Sequence, residues 1–334
     1  MNRTGSVLRL IVCSTLISAT GFMLMQPAAA ITRHVSSSTS KWRGPKLIDR
    51  KASLASISCP TATFCVAIDF LGYVVTYDGT SWSKPSSTDL TNFAGPPGSP
   101  EISCPSASFC MALGPLGQEE VTYNGTQWSS ASQLPSGAKS KFASLSCTGP
   151  SFCVEAGLGE IYIYNGSTWK ASHSYNADNP TAQVSCASDT FCAAVGWGGI
   201  ALTYNGASWS SAKNVNSGGT LSSVSCPANG DFCSAVAQTT SALTYNGTAW
   251  SKPETIEQGY KFFSVSCSSS SFCATTAIAP APVLDDNYLV TYDGSSSSVI
   301  STSVSYPELY RSVSCPGDGT CFAVGGGDLL TLRS

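Results

Sequence analysis

Charged side chains are scarce: only 11% of the 334 residues are Asp, Glu, Lys or Arg, with 17 basic against 20 acidic. A net charge of −3 leaves no basic footprint for nucleic acid or an anionic membrane. Histidine is nearly absent. His34 and His173 are the two present, and neither neighbours a cysteine or a carboxylate cluster in the sequence. No stretch shows sustained helical periodicity. Beyond residue 30 no apolar run reaches the roughly 18 residues of a membrane-spanning helix. Apolar residues nonetheless make up 42% of the chain, which excludes a disordered polypeptide. Recurrent glycine (30) and proline (18) exclude a coiled coil.

Cysteine, by contrast, is abundant, at 15, too many for an ordinary cytosolic protein. Residues 1–30 read as a secretory signal peptide, with basic Arg3 and Arg9, an apolar Leu10-to-Leu24 region and small Ala28-Ala29-Ala30 before the cleavage point. A retained membrane anchor is the alternative reading of this segment. Processing removes Cys13 and leaves 14 cysteines, an even number that reads as seven disulfides in an exported chain.

Those cysteines fall in seven pairs: Cys59/Cys65, Cys104/Cys110, Cys147/Cys153, Cys186/Cys192, Cys226/Cys233, Cys267/Cys273 and Cys315/Cys321. Each repeat reads roughly S-V-S-C-P-x-x-x-F-C-x-A-V-G, a variable stretch, then L-T-Y-N-G-T-x-W-S, and first cysteines recur every 39 to 48 residues. A period near 40 with several short strand signals marks a propeller blade. The four strands are S-V-S-C, F-C-x-A-V, L-T-Y and x-x-W-S. Asn-Gly or Asp-Gly joins the last two, a strong hairpin signal because both turn positions of the two-residue turn favour positive φ. Pairing of cysteines within a repeat is expected; pairing between blades is the alternative.

The ends set the blade count. Trp82, Trp128, Trp169, Trp209 and Trp250 follow their first cysteines by 22 to 24 residues, and that offset from Cys315 runs past the C-terminus. Trp42 precedes Cys59 by 17 residues, as Trp169 precedes Cys186. Ser40-Lys41-Trp42-Arg43 therefore supplies the missing outer strand to Leu329-Leu330-Thr331-Leu332. The expected architecture is an all-β, seven-bladed propeller over residues 40–334, preceded by a tail at 31–39. Ser297 stands where the sixth blade should carry tryptophan, so looser packing is expected at that rim.

On these motifs the chain resembles secreted, cysteine-stapled seven-bladed β-propeller proteins of Gram-positive and related soil bacteria, from about Trp42 to Leu332. Its closure is similar to that of WD-repeat propellers. Thr76-Tyr77-Asp78-Gly79-Thr80-Ser81-Trp82 is similar to the Asp-box of sialidase-type propellers, one residue short of that spacing. The resemblance implies a fold and not a reaction.

Apart from one extra residue between Cys226 and Cys233, length varies between the second cysteine and the tyrosine, and between the tryptophan and the next cysteine. In an up-and-down blade both connections lie on one face, where a scaffold carries its binding loops. Candidate ligand-binding residues there are Phe70, Glu119, Trp197, Asp285 and Asp286. Trp197, flanked by glycines, suits stacking on a sugar or peptide, or anchoring its own loop. Asp285-Asp286-Asn287 offers clustered oxygens of the kind calcium takes, although a solvated loop accounts for them equally and no metal site is assigned. Glu119-Glu120 reads as a solvated strand edge. Asn124, Asn165 and Asn246 match glycosylation sequons but coincide with the hairpin turn, so turn chemistry accounts for them.

No catalytic set emerges. No arginine occurs between Arg50 and Arg311, which leaves out the converging arginines of a sialidase. The sequence therefore points to an exported, monomeric, non-enzymatic binding or scaffold module without a cofactor. Its expected partner is a glycan or protein on the variable face. The second reading is a glycan-active hydrolase or lyase with two carboxylates in the central cleft.

Overall fold

Each repeat folds into an antiparallel four-stranded sheet, and there are seven such sheets among the described residues. The computed structural model describes residues 41–91, 98–115, 118–134, 144–157, 159–174, 181–217, 219–228, 230–279, 286–292, 297–305, 309–317 and 319–333. The expected signal peptide and tail lie outside them. In blade 1 the strands run outward as Leu54–Thr61, Phe64–Asp69, Tyr73–Tyr77 and Ser86–Ser87. The inner strands of blades 2 to 7 are Glu101–Ser106, Ser144–Gly149, Thr181–Ser188, Leu221–Ser225, Lys261–Ser269 and Tyr310–Gly317. Every inner strand touches the inner strands of both neighbouring blades, so together they line the axis. Blade 7 is completed by Lys41–Leu47, which pairs with Asp328–Arg333 and sets Trp42 opposite Leu332.

The core is divided among the seven blade interfaces. Val66, Ile68 and Val74 of blade 1 meet Ile102, Cys104 and Val121 of blade 2; Phe322, Val324 and Leu329 of blade 7 meet Leu54, Ile57 and Val75 of blade 1. The second strand of each blade is covered on both sides, which explains why F-C-x-A-V lacks the alternation of a half-exposed strand. Farther out, Tyr77, Tyr123, Tyr164, Tyr204 and Tyr245 each lie against the tryptophan of their own blade, with ring centroids 5.3–5.5 Å apart. Phe64, Phe152 and Phe191 reach across to the tyrosine of a neighbouring blade. The repeated aromatics thus fill the wedge that opens as blades diverge.

An inner strand is a sheet edge, and its outward N–H groups need partners. Serine supplies them. The amide of every first cysteine donates to the hydroxyl of the serine that precedes the first cysteine of the blade before it. The seven bonds are Cys59 to Ser314, Cys104 to Ser58, Cys147 to Ser103, Cys186 to Ser146, Cys226 to Ser185, Cys267 to Ser225 and Cys315 to Ser266, all 2.9–3.0 Å long. They close a complete ring. The two-residue side-chain period of a strand turns the intervening Ile57, Val184, Val224, Val265 and Val313 into the blade interfaces, where they are buried.

The cysteines pair within their own repeats, and none bridges two blades. Cys59 bonds to Cys65, Cys104 to Cys110, Cys147 to Cys153 and Cys186 to Cys192. The remaining bonds join Cys226 to Cys233, Cys267 to Cys273 and Cys315 to Cys321. The extra residue between Cys226 and Cys233 is taken up in the loop without changing the partner. The second cysteines, Cys65, Cys110, Cys153, Cys192, Cys233, Cys273 and Cys321, are at most 4% exposed. Each bond therefore staples an axial strand to the buried second strand of its blade.

One local expectation is corrected, and one blade departs from the repeat. The Asn-Gly turn is a four-residue connection rather than a two-residue hairpin. Asn124 Oδ1 accepts the amides of Thr126 and Gln127, the Asn124 amide donates to the Gln127 carbonyl, and Tyr123 pairs with Trp128 beyond it. Only the glycine must take the left-handed conformation, as at Gly125 with φ +93°. The asparagines of the sequons are thereby accounted for as turn builders. In blade 6 the strand that lacks tryptophan, Ser297–Ser305, runs nine residues, six of them paired with Asp286–Tyr292, against two residues in the outer strands of blades 1, 2, 4 and 5. A longer backbone ladder takes the place of the aromatic anchor.

Because Lys41–Leu47 is the sole outer strand of blade 7, a chain lacking residues 31–50 should expose an unpaired edge. It is expected to lose soluble monomer and to melt below the full mature chain in a thermal scan; equal melting temperatures would show that closure does not depend on this strand.

Candidate functional site

The two ends of the ring differ in chemistry. One carries the disulfide hairpins and the Asn-Gly turns, uniform around the circle. With every paired cysteine held in a buried staple, this end offers neither a nucleophilic thiol nor a thiolate ligand for a metal. The other end carries the second-to-third and blade-to-blade connections. The large hydrophobic side chains that stand exposed among the described residues, Leu47 (49%), Leu71 (52%) and Trp197 (48%), all lie at this second end.

The axial channel opens at the same end, and serine placement explains its shape. At the third residue before the first cysteine, five blades again use serine. Ser56, Ser144, Ser223, Ser264 and Ser312 accept the amides of Ile102, Val184, Val265, Val313 and Ile57 at 3.0–3.4 Å. Blades 2 and 4 carry Glu101 and Gln183 there instead. The amides of Leu145 and Val224 accordingly receive no serine hydroxyl, a loss of roughly 0.5–1.5 kcal/mol for each hydrogen bond forgone. One residue farther out, a β-bulge in blades 1, 4, 5, 6 and 7 inserts Ala55, Ala182, Ser222, Phe263 and Arg311, and bulges bend a strand locally in this way. A cavity of about 210 Å³ results, lined by Glu101, Gln183, Phe263, Tyr310 and Arg311 together with serines of the upper tier.

Glu101 is the acid of this cavity. Burial pushes its carboxyl up to about 7, partly opposed by a hydrogen bond from Ser56 Oγ to Oε2 at 3.1 Å. Arg311 rises at the rim, its guanidinium 5.5 Å from the centre of the Phe70 ring. Tyr310 is buried, and burial together with the charge of Asp328 lifts its phenol well above its ordinary range. Beside Phe70, Asp69 is fully buried with Oδ1 accepting the amides of Leu71 and Tyr73 at 2.8 and 2.7 Å. Burial, and to a lesser degree the neighbouring buried Asp49, raise Asp69 to about 6.

Phe70 and Arg311 meet at the cavity rim. Trp197 occupies a short 3-10 turn, Trp197–Gly199, after the second strand of blade 4, so it belongs to the same face but to a blade far around the ring. Glu119 is corrected. It is buried rather than solvated, and its carboxylate accepts the amide and hydroxyl of Thr91 at 2.8 Å and the Gln133 side-chain amide at 2.9 Å. It pins the connection leaving blade 1. Burial opposes ionisation, yet these bonds hold the carboxyl below its usual range. Glu120 is likewise no free edge residue, since Trp169 Nε1 of the next blade donates to it at 2.6 Å. Asp285 lies outside the described residues, and of Asp286 the backbone alone is described, opposite Ser305. His173 sits in the outer strand of blade 3 opposite Ile161. Sequence reasoning missed Glu101, Gln183, Phe263 and Arg311. The signal was present: aligned on the first cysteine, E-I-S-C and Q-V-S-C break the S-x-S-C rule.

No protein-family model and no curated protein matches this chain. Solved structures do. The chain is similar to YCF48 from Cyanidioschyzon merolae at 16% identity and TM-score 0.65, covering 87% of this chain and 98% of that one. A structure titled YCF48 bound to D1 peptide aligns at 15% identity and TM-score 0.64, over 88% and 97%. U3-55K aligns at 11% identity and TM-score 0.66, over 87% and 100%. At these identities the likeness is one of fold: a seven-bladed propeller.

Both raised carboxyls make stability depend on pH. Glu101 near 7 and Asp69 near 6 stand above the value of about 4 for an unfolded carboxyl. The folded chain therefore holds their protons more tightly, and this contribution to stability is full below about pH 4 and lost as pH rises through 6 and 7. Melting temperature should fall over that window, and the double variant E101Q/D69N should flatten the fall. An unchanged slope in the double variant would contradict the assignment.

Proposed function

We propose that this protein is an exported, non-enzymatic binding module that docks a glycan or protein on its variable-loop face and acts as a monomer. The observation that carries the reading is coincidence at one end of the ring. Length variation, the exposed Leu47, Leu71 and Trp197, and every departure from the serine rule fall there. Exposed apolar groups rimmed by polar ones mark interaction surfaces, and aromatic side chains are favoured anchors. A neighbour of the same fold is titled as bound to a peptide, an example of this architecture holding such a ligand. Seven intrachain disulfides support an oxidising compartment, in keeping with a signal peptide over residues 1–30 and with the secreted repeat family the motifs resemble. Among the described residues no helix is long and apolar enough to cross a membrane.

The hydrolase reading needs a second carboxylate about 5–10 Å from the first. Glu101 is the sole carboxylate among the described residues lining the cavity, so binding is the better-supported role.

Residues 31–334, applied to glycan and peptide arrays, should retain at least one ligand. The variant L71S/W197A should lower retention at least tenfold while melting like the parent. No retained ligand, or retention indifferent to both substitutions, would overturn the proposal; a ligand recovered cleaved would favour the hydrolase.

A further inference from the structure

The cavity at the channel mouth holds an acid and a guanidinium, neither of them paired with an oppositely charged side chain among the described residues. Glu101 has one hydrogen bond, from the Ser56 hydroxyl, and no described cationic side chain pairs with it. Arg311 has the Phe70 ring beneath it and no described carboxylate against it. They belong to blades 2 and 7 and flank blade 1, whose contribution to the cavity between them is the methyl group of Ala55. Repeat architecture does not require either residue, because serine at the position of Glu101 would complete the tier of bonds to the next inner strand. A position that breaks a structural rule without structural gain points to function.

We propose that the channel mouth is a binding site for an amino-acid-type zwitterion, its ammonium group on Glu101 and its carboxylate on Arg311. The proposal rests on the reading that this face binds a partner, and names what enters its centre. Charge complementarity selects the ligand. An enclosed carboxylate gains most from an ammonium donor, while the planar guanidinium matches a carboxylate in two-point fashion. The Gln183 amide and the hydroxyls of Ser223, Ser264 and Ser312 line the same cavity and supply uncharged hydrogen-bonding groups, and Phe263 adds an apolar wall. A volume of about 210 Å³ suits a small amino acid or dipeptide and is too small for an extended oligosaccharide.

The test is calorimetric titration of residues 31–334 with glycine, L-alanine and glycylglycine, whose two arms separate a free amino acid from a peptide. Glycinamide and N-acetylglycine each carry one of the two charges, and N-acetylglucosamine serves as the neutral comparison. Zwitterions should bind saturably, with each half-ligand at least tenfold weaker. E101S and R311A should each weaken zwitterion binding at least tenfold. E101S should also melt at or above the parent, because the serine restores a partner for the Leu145 amide. The proposal is overturned by absence of zwitterion binding, by half-ligands or the sugar binding equally well, or by E101S that binds normally or melts lower. Array ligands lost in L71S/W197A alongside silent zwitterion titrations would leave the docking face standing and remove this site alone.

Discussion

A serine hydroxyl accepting the amide of a cysteine in the next blade is the bond on which the ring depends. Each inner strand is a short edge with unpaired N–H groups facing its neighbour, and the blades diverge too quickly for a backbone ladder to join them. A side chain must bridge the gap, and serine is the shortest that carries an acceptor. Seven such bonds at 2.9–3.0 Å run once around the axis. Each acceptor serine directly precedes a cysteine, so the disulfide that clamps the inner strand to the second strand also fixes the hydroxyl. In blades 3, 4 and 6 the bridged cysteines, Cys147 and Cys153, Cys186 and Cys192, and Cys267 and Cys273, lie directly opposite in the strand register. Staple and girdle reinforce each other.

Such a division of labour frees the opposite end. Apolar burial is spread over seven interfaces, so no single interface dominates stability, and the disulfide end carries the geometric precision. At the channel mouth the upper serine tier is filled in five blades and interrupted by Glu101 and Gln183 in two. Those interruptions weaken two blade contacts and bury an acid. The lower ring tolerates the loss because it is complete. An acid and a base then share a cavity that the scaffold itself does not require.

Much of this was legible in the residues. Cysteine and tryptophan spacing set the number of blades, the pairing of cysteines within repeats, the closing of the last blade by the strand around Trp42, and the face on which lengths vary. Those features depend on local periodicity. Glu119 was misread for a physical reason. Its burial comes from Thr91, 28 residues away in sequence on the incoming connection, and no local pattern reports such a partner. Glu101 escaped notice because its importance lies in what it replaces: the serine rule becomes visible once each hydroxyl is seen to serve the following blade. The Asn-Gly turn was placed correctly but built differently, since an asparagine side chain that caps two amides stabilises a longer connection than the dipeptide alone suggests. Asp49 and Asp69, brought together across the closure, carry no sequence signature at all.

The most direct test is to replace the girdle serines singly with alanine, as in S58A, S146A, S225A and S314A, and to follow melting alongside native-state hydrogen exchange. Each variant should lose about 1 kcal/mol of stability. The first-cysteine amide of the following blade, such as Cys186 in S146A, should exchange faster while those of other blades keep their protection. An exposed control, S211A, should match the parent. Girdle variants that melt with the parent and leave that amide protected would show that the blades are held by apolar packing and disulfides alone.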